Sequence, residues 1–86
     1  EPETLADYVG TYPLVATFVL TVTRDDGRLF VQATGQPRFE VFAEKRDAFF
    51  VKAVDAQLTF TRDASGAVTG LVLHQNGKSQ PAPKRP

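Results

Sequence analysis

The chain has 86 residues, with ten Lys and Arg balanced by ten Asp and Glu, and no cysteine. That length fits one small domain with a modest apolar core, because neither a disulfide framework nor a thiolate metal site is available to support it. Zero net charge argues against a phosphate-backbone binder and against recruitment to anionic membranes, and no apolar run approaches the roughly 18 residues of a membrane span.

The opening, "EPETLADY", has neither a start Met nor a signal-peptide pattern and reads as an excised domain or a processed product. In "ETLADYVG", Leu5, Tyr8 and Val9 stand at helical i, i+3, i+4 spacing. This predicts one or two helical turns, begun at Glu3 or Thr4 and ended by Gly10 as the C′ residue, that lay Leu5 and Tyr8 over an open barrel end.

Turn signals then recur at "DDG" 25–27, "TGQP" 34–37, "EKRD" 44–47, "VDA" 54–56, "DASG" 63–66 and "NG" 76–77. Between them lie short runs rich in Phe, Val, Leu and Thr, which suit a pleated surface. Strands are expected near 11–15, 16–24, 28–34, 38–43, 48–53, 57–62, 67–75 and 78–84. No gap is long enough for a crossover helix, so neighbours in sequence should pair antiparallel. The predicted fold is all-β, an up-and-down meander of about eight strands that curls into a small barrel or half-barrel to remove its edges.

Turn geometry fixes register. A two-residue type I′ turn at Asp26-Gly27 pairs Asp25 with Arg28, Val22 with Val31 and Leu20 with Ala33. Alternation places Phe18, Leu20, Val22, Leu29, Val31 and Ala33 inside, continued by Phe39, Val41, Phe49, Val51, Leu58, Phe60, Leu71 and Leu73. So bulky an inner set implies a mostly filled lumen. Val19, Phe30, Phe42, Phe50 and Val72 alternate with it and should point outward. Three outward Phe on consecutive strands make a candidate partner surface, unless barrel ends, bulges or a covering segment bury them.

"LVLHQNGKSQ", 71–80, contains the only histidine, His74, and one of two serines, Ser79. With Asn76-Gly77 as a turn, Gln75 pairs with Lys78 and His74 stands opposite Ser79. Proximity alone is not catalysis. A third orienting group, an oxyanion hole and a sheltered pocket are also required, and none is visible, so no catalytic residue is assigned. One His and no Cys leave no metal set. "RDDGR" and "RDASGA" lack the spaced ligands and closing Glu of a calcium loop and read as turns in which Asp bonds its own backbone. Glu40, Glu44 and Asp47 could suggest paired acids, but they flank a charged turn and read as solvated. No Gly-rich phosphate loop is present and no cofactor is implied.

Taken in order, "LADYVGTYPL" at 5–14, "LTVTRDDGRLFVQATGQPRFEVFAE" at 20–44, "DAFF" at 47–50, "LTFTRDASGAVTGLVLHQNGK" at 58–78 and Lys84-Arg85 carry a resemblance. The chain resembles the lipocalin-like C-terminal domain of unknown function appended to β-lactamase-related serine hydrolases and other peptidases. The resemblance implies a single lipocalin-like accessory domain over 1–86. It implies a periplasmic or secreted bacterial setting and a catalytic domain in cis as partner, with self-association as a further prospect. In such proteins the catalytic Ser, Lys and Tyr lie in the separate penicillin-recognising domain, so none carries over. The expected role is non-enzymatic: docking, shaping substrate access, or self-association. The alternative is a small lipocalin-like module that binds an apolar ligand or peptide.

The C-terminal stretch 79–86 departs from that family pattern and should fray as a proline-rich strand and tail, with Pro86 in place of an apolar residue. In the hairpin register, Lys78, Gln80, Ala82 and Lys84 bond to strand seven, while Ser79, Pro81 and Pro83 turn their nitrogens to the opposite edge. Proline has no N–H, so the hairpin survives but the seam toward strand one is left open or weakly bonded.

Overall fold

A computed structural model describes residues 5–85. The expected helix start at Glu3 or Thr4, and Pro86, lie outside the described residues. Eight strands follow one 3-10 turn, Ala6–Tyr8: β1 Gly10–Val15, β2 Phe18–Asp25, β3 Arg28–Ala33, β4 Arg38–Lys45, β5 Ala48–Val51, β6 Ala56–Arg62, β7 Val68–Gln75 and β8 Lys78–Pro83. Each pairs antiparallel with the next in a single sheet, which curls into a nearly closed up-and-down barrel.

The Asn-Gly and Asp-Gly turns behave as their chemistry dictates. Asp26 (φ 54°) with Gly27 (φ 74°), and Asn76 (φ 56°) with Gly77 (φ 74°), place both central residues at positive φ, the type I′ geometry that matches strand twist. Leu20 faces Ala33, Val22 faces Val31 and Asp25 faces Arg28. Gln75 faces Lys78 and His74 faces Ser79. Both registers are those expected from the turns.

Three boundaries differ from expectation by two residues, the others by one at most. β2 begins at Phe18 rather than 16, because Ala16 and Thr17 form the turn after β1. β4 runs on to Lys45, with a register shift between Ala43 and Lys45, so the connection narrows to Arg46-Asp47. β5 stops at Val51, since Lys52–Asp55 turn. Gly10 follows the C-cap Val9 and so holds the expected C′ position, but at φ 157° it does not take the left-handed αL conformation of a glycine cap. The 3-10 turn already ends at Val9, whose backbone is extended, and Gly10 opens β1. A Cβ on Gly10 would lie 2.8 Å from Lys84 Cε, so glycine lets the Lys84 stem cross the strand.

The core fills the barrel. Leu20, Val22, Leu29, Val31, Val41, Phe49, Val51, Leu58, Phe60 and Leu71 are buried, joined by Tyr8, Tyr12, Val68 and Ala82. Phe60 sits at its centre of aromatic packing, with ring centroids 4.5 Å from Tyr8, 5.7 Å from Tyr12 and 5.7 Å from Phe49. Edge-on and tilted ring pairs of this kind add to the area each ring buries. Of the expected inner set, Phe18, Ala33, Phe39 and Leu73 are only half-buried, because they reach one open end of the barrel.

The seam between β1 and β8 is close but carries no ladder. Arg85 N–H donates to Thr11 C=O at 2.8 Å across it, while Lys84 N–H donates to Thr69 C=O of β7 at 2.8 Å. Pro81 and Pro83 face Val72 and Gly70 in the β7–β8 register, which leaves the edge toward β1 without their donors.

An up-and-down barrel sorts its loops by parity. The β2–β3, β4–β5 and β6–β7 loops and the 3-10 turn gather at one end, here the lid. The β1–β2, β3–β4, β5–β6 and β7–β8 loops gather at the other, here the mouth.

Candidate functional site

At the lid, four side chains from distant parts of the chain converge. Tyr8 O–H donates to Asp47 Oδ1 at 2.7 Å. Arg62 Nε donates to both Asp47 oxygens at 2.9 and 3.1 Å, and its Nη1 reaches Asp7 Oδ2 at 3.3 Å and Gly66 C=O at 2.7 Å. Tyr12 O–H donates to the Tyr8 carbonyl at 2.7 Å, which ties the entering segment to β1. Asp47 itself sits at φ 64°, and its carbonyl accepts Phe60 N–H at 2.7 Å. Asp tolerates the left-handed region better than most residues, so the turn residue can aim its carboxylate inward.

The electrostatics follow from the contacts. Burial pushes the Asp47 carboxyl up, but the bonds from Tyr8 and Arg62 and the charges of Arg62 and Arg46 outweigh it, leaving it below the usual carboxylate range. Tyr8 is pushed up, first by burial and then by its bond to Asp47. Tyr12 is raised to about 12 by burial and by the neighbouring Tyr8. A cleft of about 420 Å³ beside this cluster is lined by Leu5, Ala43, Phe49, Lys45, Arg46 and Arg62 among others. Arg62 uses Nε and Nη1 on Asp47, Asp7 and Gly66, so the cluster clasps the 3-10 turn, the β4–β5 turn and β6 together. Contrary to the expectation of a solvated charged turn, Asp47 is half-buried and faces Tyr8 and Arg62. The available signal was Asp47 directly before the buried Ala48-Phe49 pair.

The outward apolar residues occupy different neighbourhoods. Phe30, Phe42 and Phe50 lie on β3, β4 and β5, each half-buried. Phe42 faces Phe50 across the strands, with ring centroids 5.8 Å apart. Phe30 faces Glu40 and carries the Arg38 guanidinium 3.9 Å over its ring; Lys52 Nζ lies 4.3 Å over Phe42. Cations on ring faces of this kind cover aromatic surface while staying in water. Val19 on β2 lies beside Thr34, whose N–H donates to its carbonyl. Val72 stands apart on β7, between Thr59 and Pro81. Phe42 and Phe50 thus pair on β4 and β5, Phe30 stands on the neighbouring β3 under its own cation, and Val72 lies on β7, away from them.

His74 is bracketed by two hydroxyls. Its Nδ1 lies 3.0 Å from Ser79 Oγ and its Nε2 lies 2.9 Å from Thr59 Oγ1. Among the described residues no carboxylate hydrogen-bonds the imidazole. The three side chains form a polar tie across β6, β7 and β8 on the outer face. Asp63 Oδ1 accepts Ser65 N–H, Ser65 Oγ–H and Ala67 N–H at 2.9, 2.6 and 3.1 Å, the self-bonded turn its sequence suggests. Among the described residues no three His, Asp or Glu side chains gather where they could hold a metal ion, and no helix is long and apolar enough to cross a membrane.

The mouth is the remaining concavity of the barrel interior. It holds about 160 Å³ and is lined by Phe18, Ala33, Phe39, Val54, Leu73 and Gln75, with deeper core residues as its floor.

The chain is similar to penicillin-binding protein 4* of Bacillus subtilis (strain 168), 31% identical over 75 residues. The match covers 87% of this chain and 16% of that protein, so the chain corresponds to about one sixth of its relative's length. A family model described as "Domain of unknown function (DUF3471)" matches residues 1–84, and the chain belongs to that family.

Proposed function

We propose that the domain is a non-catalytic accessory module of a longer bacterial serine hydrolase-like protein, periplasmic or secreted, docking on its catalytic domain in cis. The observation that carries this reading is the match of nearly the whole chain to a small part of a protein named as a penicillin-binding protein. The strip of Phe30, Phe42 and Phe50 is the surface proposed to dock, with Val19 and Val72 as outlying contacts. Its caps, Arg38 and Lys52, can swing aside without exposing the core, which suits a surface that is buried on association.

A lipocalin-like ligand module is the weaker reading. Pockets for small ligands usually hold about 300–1,000 Å³, and the open mouth holds about 160 Å³ over a filled interior.

The test is the triple variant Phe30→Ala, Phe42→Ala and Phe50→Ala in the intact parent protein. The variant should keep its β-sheet circular dichroism while small-angle scattering shows the domain detached from the catalytic domain. Unchanged compactness in the intact protein would refute this interface. Sedimentation of the isolated chain, with and without the triple change, separates docking from self-association.

A further inference from the structure

The two barrel ends differ in kind. The lid is covered by Leu5 and Tyr8 and clasped by Asp47 and Arg62, and the cleft beside it is lined by the charged Asp7, Lys45, Arg46 and Arg62. The mouth has no such cover: Phe18, Phe39 and Leu73 reach it half-buried, and Val54 stands 42% exposed on its rim. None of the twelve residues that line it is charged, although the chain carries twenty charged side chains. Two uncharged amides, Gln36 and Gln75, flank the opening.

Size limits the occupant. A dry apolar cavity of about 150 Å³ accommodates one benzene ring, and the mouth, at about 160 Å³, is of that class. One phenyl or isobutyl group fits; a drug-sized ligand or a coiled acyl chain does not. The amides at the rim offer donors and acceptors of the kind that a peptide backbone, and not a hydrocarbon, can use. Position adds a further constraint. Both described chain ends are bonded at the lid, where Lys84 Nζ donates to the Asp7 carbonyl at 3.3 Å and Arg85 N–H to Thr11 C=O. The mouth lies at the opposite end of the barrel from them.

We propose that the barrel mouth is an anchor pocket for one Leu or Phe side chain of a neutral polypeptide segment, held by apolar contact with Phe18, Phe39 and Leu73 and by the amides of Gln36 and Gln75. This site is distinct from the Phe30–Phe42–Phe50 strip and does not depend on its role.

The experiment is a chemical-shift titration of the isotopically labelled 86-residue chain with N-acetyl-leucine amide, N-acetyl-phenylalanine amide and decanoate. Both amides should shift Phe18, Ala33, Phe39 and Leu73 with millimolar Kd, and leave the lid unmoved. Ala33→Phe, which fills the pocket from its wall, should weaken both amides at least tenfold. Should that variant misfold, Val54→Lys places a charge on the exposed rim and should weaken them several-fold. The triple Phe variant of the strip should bind them like the wild type, which keeps this result separate from the docking proposal. Absence of mouth shifts up to the solubility of the amides overturns the proposal. So do amide binding that survives the variants, and decanoate binding at least tenfold tighter than the amides, which would assign the mouth to an acyl chain.

Discussion

The Tyr8 hydroxyl donates to the Asp47 carboxylate at 2.7 Å, joining residues 39 positions apart. This one bond links the entering segment to the β4–β5 turn, and Arg62 of β6 closes the same carboxylate from the other side. The lid is therefore a property of three chain regions at once, and its loss should be felt in stability rather than in local structure.

Tyr8→Phe keeps the ring against Phe49 and Phe60 and removes only the hydroxyl. A hydrogen bond to a charged acceptor contributes about 1.5–3 kcal/mol, and partial exposure puts this one at about 1–2. Asp47→Ala should cost more, about 2–3 kcal/mol, because it leaves the Arg62 side chain, 14% exposed, with Asp7 as its remaining carboxylate and puts alanine at positive φ. Asp47→Asn should fall between wild type and Asp47→Ala, since Asn tolerates that backbone and still accepts the Tyr8 bond. Urea denaturation would rank the three, and an Asp47→Ala no weaker than Tyr8→Phe would contradict the clasp.

Acid should loosen the lid. The Asp47 carboxyl is depressed in the folded state, so its stabilising effect is present above its ordinary value of 3.8 and is lost as pH falls through the folded value. Stability of the wild type should drop below about pH 4, and more shallowly in Asp47→Asn. Asp63 is depressed too, first by its bond from Ser65, so some acid sensitivity should remain in that variant. Denaturant midpoints measured between neutral pH and pH 3 would show the difference in slope.

The opposite limb belongs to Tyr12. Its folded value is raised to about 12 from 10.0, so the neutral phenol stabilises the fold fully below pH 10, and that contribution fades as pH rises toward 12. Tyrosinate absorbance should appear above pH 10 and rise together with loss of β-sheet signal. Ionisation of both tyrosines at the ordinary value in a folded chain would contradict the burial of Tyr12.

Gly70 is an unadorned point in the outer face of β7. A Cβ there would lie 3.0 Å from the Ala82 carbonyl oxygen and 3.3 Å from Pro83 Cα, both backbone atoms of β8. Gly70→Ala should therefore push β8 outward at a cost of about 1–2 kcal/mol, in the range of overpacking. Amide exchange should quicken first at Ala82 and Lys84, whose N–H groups face β7.

His74→Ala removes a cross-strand tie to Thr59 and Ser79 whose hydroxyls can turn to water. Its cost should be about 0.2–1 kcal/mol, the scale of a cross-strand pair. A loss above 2 kcal/mol, read from the thermal midpoint, would mean that the array holds the three strands more strongly than exposed polar pairs do.

Much of the barrel is local information. Asn76-Gly77 and Asp26-Gly27 adopt positive φ because their residue types permit it, and a two-residue turn leaves one register open to each hairpin. From that register, His74 opposite Ser79, Val22 opposite Val31 and the unpaired proline edge of β8 all follow by counting. Period-two alternation then separates Leu58 and Phe60 from Thr59, and Val31 from Phe30. Only tertiary structure decided what depends on residues far apart in the chain. Nothing near Asp47 announces Tyr8 or Arg62, because no local periodicity relates positions 39 and 15 residues away. The same holds for the ends of the barrel. Alternation marks Phe18, Phe39 and Leu73 as inward, as it does Phe60, but burial depends on depth along the barrel axis. Depth is fixed only when all eight strands close around a common core, and that closure covers one end with Tyr8 and leaves the other open.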